Sequence, residues 1–378
     1  MLLDERVLER CGDAIAATPD RGVGGFTKSR TVAALLPVLL LLSATLPNTS
    51  QARQAAEADR LIASLRSGWP ELYARLVGLE RAHGVLYGAL ALGRGKVTES
   101  DVYRQMTRRI AGSALSSLPD PEADTGYAAL GARGAEVIRR THTLHREVLA
   151  IFASLEASDR ERALDAAVDR YLSRPDVALP DVPKDMTILY DHPYSSFVPD
   201  AIDPRRTQTY PSLTGFVWAS HCFQLAVQEP LADSEARLQG VKVVTDRFQR
   251  KLSSGQPPDA FPTELPLAPS IAPGLVSAHL RAAAIIDNLN MMHDVLADVL
   301  VHPKVGNVRA ALDEVIAQFT DRSYRVVEVD DWITMALRHS IFAQGGPALG
   351  TMTQSDRNSS GHFQHFGRAR SISPGGMR

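Results

Sequence analysis

The sequence predicts a mainly α-helical protein, in which a helical bundle and a second helical region flank an irregular middle segment rich in proline and aromatic residues. Leucines recur at steps of three, four and seven residues between Leu61 and Leu90, which is the spacing of one helix face. Most of the 23 prolines fall instead within residues 175–274, where they exclude long regular helices. The chain of 378 residues is also long enough to bury a large core.

The first segment, residues 1–52, has the layout of a secretory signal. Residues 32–46 form a short apolar block, Lys28 and Arg30 precede it, and small residues follow it. We therefore expect cleavage before Arg53 and export, with the periplasm as the expected location. The alternative is a membrane anchor formed by residues 32–46, although a spanning helix needs about 20 apolar residues.

Composition excludes several classes of function. Basic and acidic residues are nearly balanced, at 41 against 43, and no basic stripe is interleaved with aromatic residues, so nucleic acid is not an expected partner. No basic cluster suits anionic lipid, so the membrane is an expected partner only if the N-terminal segment is retained. Removal of residues 1–52 takes Cys11 away and leaves Cys222 alone, which excludes an intramolecular disulfide.

Residues 53–174 predict the N-terminal helical bundle. The leucine face stops at Gly68 and resumes after Pro70, a residue suited to the first turn of a helix. A long amphipathic helix is expected over residues 127–155 and a shorter one over residues 158–172. Short connections between such helices favour antiparallel packing.

Residues 175–274 predict ordered chain with little helix. Residues 186–223 are rich in aromatic side chains, whereas disordered segments are poor in them. We therefore expect this segment to pack over the helices, with regular helix only over residues 215–228 and 234–252.

Residues 275–344 predict a second helical region, and residues 345–378 a flexible tail. The first helix is expected over residues 275–301, with no Lys or Arg between Arg281 and Lys304. At the helical period its polar side chains share one arc, which is either a solvated or ion-paired face or a polar cavity that binds a ligand. The arc consists of His279, Asp287, Asn290, His293, Asp294 and Asp298.

Histidines on apolar stripes are the main chemical signal. His83, His145 and His339 each align with apolar residues at helical spacing, so three helices direct an imidazole towards the core. Such histidines are either satisfied core residues or ligands of a transition metal or haem held between facing helices. Two pairs at i, i+3 spacing add candidate metal ligands, Glu80 with His83 and His142 with His145. A di-iron bundle needs two Glu-x-x-His motifs, and the sequence has one.

These observations leave three functional hypotheses. The first is an exported, non-catalytic envelope protein that binds a small ligand or a protein partner through the aromatic segment and the polar arc. The second is a redox protein whose cofactor is a transition metal or haem bound by His83, His145 and His339. The third is a hydrolase with an Asp–His site around His293.

Overall fold

The computed structural model describes residues 49–93, 96–112, 121–189, 191–194, 210–253 and 266–337. The apolar block of residues 32–46, His339 and the tail of residues 345–378 lie outside these ranges. Within them the prediction of a mainly α-helical protein is confirmed, since the only β contact is one isolated bridge between Lys184 and Val326. No described helix is both long enough and apolar enough to cross a bilayer.

Short connections join most of the helices. Two 3-10 turns, Pro175–Val177 and Met186–Leu189, mark the irregular segment. The helices of the first half are α1 (Thr49–Gly68), α2 (Pro70–Gly93), α3 (Glu99–Gly112), α4 (Pro121–Ala128), α5 (Gly131–Ser154) and α6 (Ala157–Leu172). Those that follow are α7 (Pro211–Ala226), α8 (Gln228–Ala232), α9 (Arg237–Ser253), α10 (Ala268–Ile271), α11 (Pro273–Ala278), α12 (Leu280–Val301), α13 (Val308–Thr320) and α14 (Val329–Ala336).

Glycine and proline set several helix boundaries. α1 ends at Gly68 and α2 begins at Pro70, as the sequence predicts, because proline fits a first turn where its missing N–H is not needed. The prediction of a single helix over residues 127–155 is wrong. The chain breaks before Gly131, whose φ of 83° lies in the left-handed region that glycine adopts without strain, so α4 and α5 are separate helices.

The long helix expected over residues 275–301 is also divided, so that prediction is wrong in its extent. α11 ends at Ala278, and α12 begins at Leu280. His279 stands between them with a non-helical backbone, and its Nδ1 accepts the N–H of Ala282 at 3.1 Å. This side-chain cap satisfies an N–H that has no partner within the helix, and α12 therefore starts anew.

α12 is the central helix of the described chain, since every residue from Ala282 to Val301 is buried. α2, α5, α6 and α13 all pack against it, and the hydrophobic core around it is one cluster that extends from Leu61 to Ala336. A helix that is apolar on all sides is expected in such a position. α12 differs because it also buries Asp, Asn and His side chains, and each of these needs a polar partner.

The described part of the middle segment is ordered chain held against α12. Asn288 of α12 donates from Nδ2 to the carbonyl oxygens of Pro180 and Val182, both at 2.9 Å, and its Oδ1 accepts the Lys184 N–H at 3.2 Å. The Lys184 side chain is buried as well, and its Nζ donates to two carbonyl oxygens that follow α13. The two helices expected within this segment correspond to α7 and α9, but the expectation of regular helix only there is wrong, since α8 and α10 also lie within it.

Candidate metal centre

Four helices each direct one histidine side chain to the same region of the core. α2 contributes His83, α5 His142, α7 His221 and α12 His293, and all four are buried. The ring centroids of His83 and His293 are 4.6 Å apart, and His221 lies 5.4 Å from each of them. The His142 ring lies 5.2 Å from His293 and 6.2 Å from His83. Four imidazoles packed together in an apolar core need a chemical explanation, because buried polar groups cost free energy unless they are satisfied.

His83, His221 and His293 lie close enough together to hold a metal ion after small ring rotations. Each offers one ring nitrogen, and these three nitrogens all lie within 4.8 Å of one another. Ligands bound at about 2.1 Å to a tetrahedral ion are about 3.4 Å apart, so ring rotations that move each nitrogen by roughly 1 Å bring them to bonding distance. Within the described ranges, no other group of three potential ligands is gathered as closely.

The hydrogen bonds of His83 leave one ring nitrogen free to bind a metal. Nδ1 lies 2.9 Å from the carbonyl oxygen of Leu79, one turn earlier in α2, so Nδ1 carries the hydrogen and donates it. Nε2 then presents a lone pair, and it is buried without a hydrogen-bond partner among the described residues. Metal-bound histidines are commonly oriented in this way, by donation from the second nitrogen to a backbone carbonyl.

His221 and His293 contact each other but are otherwise unsatisfied. Nε2 of His221 lies 3.4 Å from Nδ1 of His293, so one ring donates and the other accepts. Nδ1 of His221 and Nε2 of His293 are buried, and neither has a partner within the described chain. A buried polar atom without a partner costs about 1–3 kcal/mol, so these nitrogens weaken the fold unless a ligand engages them.

The four histidines are neutral at physiological pH. Burial lowers the pKa of His83 to about 4, while the hydrogen bond to Leu79 opposes the shift. Burial also lowers the pKa of His142, His221 and His293 well below the usual range, and the neighbouring imidazoles lower each pKa further. Neutral imidazole is the form that binds metal ions, so an ion can bind without the net release of a proton.

Hydrogen bonds fix the helices that carry these histidines relative to one another. Trp218 lies one turn before His221 on α7, and its Nε1–H donates to Oδ2 of Asp294 at 3.1 Å. Asp294 directly follows His293 on α12, so this single bond connects the two helices beside their imidazoles. Tyr87 of α2 donates its hydroxyl hydrogen to the carbonyl oxygen of His293 at 3.3 Å and so connects a third helix.

A close glycine contact sets the distance between α2 and α4. A Cβ atom at Gly126 would lie 1.7 Å from the carbonyl oxygen of Gly84, the residue after His83. No side chain larger than hydrogen fits there, which lets the two backbones approach closely. The contact places Tyr127 of α4 near the histidines, with its ring 6.3 Å from that of His142.

His145, which the sequence also suggests as a ligand, has its hydrogen-bonding needs met elsewhere. Its Nε2 accepts from the side-chain amide of Gln228 at 3.2 Å, and the ring makes a second hydrogen bond with the backbone of Gln224. It is not one of the three residues whose nitrogens converge. Although they are three residues apart on α5, His142 and His145 therefore contact different partners. His339, another predicted ligand, lies outside the described residues.

Glu80, the remaining predicted ligand, faces a surface cleft instead of the three converging histidines. Its carboxylate forms a partly buried ion pair with Arg146 of α5. The cleft has a volume of about 360 Å³ and lies between α2, α4 and α5. Of the four clustered histidines, His142 lines this cleft. The cleft therefore reaches the histidine group from the surface at His142.

The polar arc of α12 is buried, so its interpretation as a solvated face is wrong. Asp287 accepts the indole N–H of Trp332 at 3.0 Å and the backbone N–H of Ala268 at 2.9 Å. Asp298 pairs with His192, with 3.0 Å between the carboxylate oxygen and Nε2. These carboxylates hold neighbouring segments against the central helix.

The other members of the arc also have separate neighbours. His279 caps α12, and its Nε2 lies 3.1 Å from the carboxylate of Asp165. His293 belongs to the histidine group, Asp294 holds α7, and Nδ2 of Asn290 is buried without a partner among the described residues. Because α12 is enclosed on all sides, the six side chains do not share one ligand-facing surface.

His221 is the member of the group that sequence reasoning missed. The spacing that selects His83 is present in α7 as well, since Leu213, Val217 and Leu225 lie eight residues before, four before and four after His221. All three of these apolar residues are buried. The same stripe test, applied to α7, would have found His221.

The histidine group is the chemically distinctive feature of the described chain, with three nitrogens at near-ligand distances and a fourth imidazole at a cleft. Comparison with protein-family models, curated proteins and solved structures gives no match to this chain, so a functional assignment has to rest on this geometry.

Proposed function

We propose that the protein binds one transition-metal ion through His83, His221 and His293, and that this ion undergoes redox chemistry. The observation that supports the proposal is the convergence of three ring nitrogens within 4.8 Å of one another. Each of these rings also has a buried nitrogen without a partner among the described residues. A bound ion would engage the imidazoles and offset the cost of burying them.

The donor set favours copper, zinc, iron or nickel. Imidazole nitrogen suits these ions, whereas calcium and magnesium prefer oxygen ligands. Among the divalent ions of the first row, Cu²⁺ binds a given nitrogen site most tightly, and copper is redox-active whereas zinc is not. Three protein ligands also leave a position open, which is typical of catalytic metal sites. Copper is therefore the ion that we expect to act here.

Haem fits this arrangement less well than a bare ion. A haem iron takes its axial ligands from the two opposite faces of a porphyrin. Here three imidazoles from three helices converge on one region, and the rings of His83 and His221 stack at 5.4 Å with an angle of 11° between their planes.

The other two hypotheses have less support. Ligand binding through the polar arc needs an accessible surface, and every residue of the arc is buried. A hydrolytic Asp–His pair at His293 needs a carboxylate on that ring, whereas His293 contacts His221 and the adjacent Asp294 accepts from Trp218. Export from the cytosol stays a proposal that rests on the apolar block of residues 32–46.

Metal analysis of the full-length chain tests the proposal. After dialysis against Cu²⁺ and removal of free ion, elemental analysis should give one copper per chain, and paramagnetic resonance should show nitrogen coupling from imidazole. His221→Ala should lose this copper, whereas His145→Ala, a histidine outside the site, should retain it. Equal copper contents in the two variants would contradict the site, and bound copper that cannot be reduced and reoxidised reversibly would contradict the redox function.

A further inference from the structure

The cleft between α2, α4 and α5 is lined by one member of the histidine group. The side chains of His83, His221 and His293 belong to residues that are exposed by 1 %, 0 % and 2 %. His142 lines the cleft, and its ring lies 5.2 Å from that of His293. Of the four histidines, His142 is therefore the one that adjoins both the cleft and the buried site.

The carboxylates that α2 and α5 place in the cleft are already paired. Glu80 forms its ion pair with Arg146, and Glu136 forms one with Arg139. Neither carboxylate is a free anion that would hold a cation deep in the cleft, because a guanidinium competes for it, and the third carboxylate that lines the cleft, Asp124 of α4, is exposed. His142 is then the first nitrogen donor that an ion in the cleft meets on its way to the core.

Entry of a metal ion into an apolar core is costly, because the ion must give up its hydration shell. The cost falls when each lost water is replaced at once by a protein ligand. A nitrogen donor at the boundary between cleft and core can supply the first replacement, and the ring distances of 5.2 Å to His293 and 6.2 Å to His83 allow the next ligands to follow.

We infer that His142 is a transfer ligand, which takes a metal ion from the cleft and passes it to His83, His221 and His293. The inference rests on the proposed metal site. Each metal–nitrogen bond that forms replaces a metal–water bond or the bond to His142, and the oxidation state of the ion does not change. The buried site can then load and release its metal through the cleft.

Stopped-flow loading of the metal-free, full-length chain with Co²⁺ tests the inference, since the visible absorption of Co²⁺ reports nitrogen coordination. His142→Ala should bind one Co²⁺ per chain, as the wild type does, but at least ten-fold more slowly. Ala135→Leu narrows the cleft without changing a histidine and should also slow loading. Ala166→Leu, at a half-buried alanine of α6 away from the cleft, should load at the wild-type rate.

The outcomes distinguish a failure of the transfer role from a failure of the metal site itself. Wild-type rates in both His142→Ala and Ala135→Leu would overturn the transfer role, and so would a complete loss of Co²⁺ binding in His142→Ala, since His142 would then be a permanent ligand. If His142→Ala does not fold, the Co²⁺ loading rate of Ala135→Leu alone tests the transfer role. A wild-type chain that binds no Co²⁺ would contradict the proposed metal site itself, whereas binding with unchanged rates in the variants contradicts only the transfer role.

Discussion

Replacement of His83 by leucine should make the metal-free protein more stable and at the same time remove its stabilisation by metal. Nε2 of His83 is buried without a partner in the described chain, and Nδ1 donates to the carbonyl oxygen of Leu79. That carbonyl also accepts the backbone N–H four residues later, as in any α-helix, so it keeps a partner in the variant. Leucine therefore removes one unsatisfied atom and creates no new one.

The size of the effect follows from the unsatisfied nitrogen. Such an atom costs about 1–3 kcal/mol, and this is the expected gain in the free energy of unfolding of the metal-free variant. With a urea m-value of about 3 kcal/mol/M, the midpoint should rise by roughly 0.3–1 M. In the wild type, free metal at about 100 times its Kd should add about 2.7 kcal/mol to the free energy of unfolding. In His83→Leu, which lacks one metal ligand, this increment should fall towards zero.

Urea unfolding followed by circular dichroism measures both effects, first with a chelator and then with excess Zn²⁺, which has no redox chemistry. His145→Leu is the matched control. That substitution leaves Gln228 and Gln224 without the hydrogen bonds that His145 provides, so the metal-free protein should lose about 1–3 kcal/mol. Its stabilisation by zinc should be retained, since His145 is not one of the three converging ligands.

Two results would refute this reasoning. One is a loss of metal-free stability in His83→Leu as large as that in His145→Leu, because Nε2 of His83 would then have a partner in solution. The other is equal stabilisation of His83→Leu and the wild type by zinc, because His83 would then not be a ligand.

Three further predictions concern other parts of the fold. In urea unfolding, Gly126→Ala should lower the free energy of unfolding by about 3 kcal/mol or more, because the new Cβ would meet a backbone carbonyl of α2. A Cβ at Gly68 would have no atom within 4 Å, so Gly68→Ala should change the free energy of unfolding by less than about 1 kcal/mol. Similar losses in the two variants would contradict the close contact at Gly126. In a competition titration, Trp218→Phe should weaken metal binding by roughly ten-fold, or about 1.4 kcal/mol, since α7 loses its bond to α12 beside the ligands. Trp332→Phe loses a comparable bond to a buried aspartate away from the site and should leave the affinity unchanged. Burial lowers the pKa of Lys184 from 10.5 to about 8, so the unfolded chain holds this proton more tightly than the native state does. The free energy of unfolding of the wild type, relative to that of Lys184→Met, should therefore rise by roughly 1–3 kcal/mol as the pH increases from about 8 to about 10.5. A difference between the two proteins that does not change with pH would contradict the lowered pKa of Lys184.

Local signals predict the helices well and fail at features that depend on one residue. The leucine spacing and Pro70 correctly mark the start of α2, because periodicity and the absence of a proline N–H act within one or two turns. The breaks at Gly131 and His279 were not predicted. One depends on a positive φ and the other on a histidine that caps a helix, and neither changes the hydrophobic pattern around it.

The candidate site is harder to predict, since it depends on which helices meet. His83 and His142 can be selected by their spacing within α2 and α5, and His293 by its place on α12. Periodicity does not report that these rings lie within about 6 Å of one another, because the contacts join helices far apart in the sequence. Periodicity also misleads on α12. It groups the polar residues of this helix on one apparent solvent-facing side, whereas the helix is buried on all sides and these residues have different partners.

The order of the four histidines along the chain has a consequence for folding. They lie on α2, α5, α7 and α12, so no segment shorter than that from α2 to α12 contains the whole group. Closure of such a long stretch of chain is entropically costly and is expected late in folding. Given the proposed metal site, a chain that is still being synthesised would offer an ion only isolated imidazoles, and it would capture metal once α12 has docked. In refolding experiments with Co²⁺ present, the nitrogen-coordinated absorption should appear with the slowest folding phase, so that a bound ion marks a finished molecule.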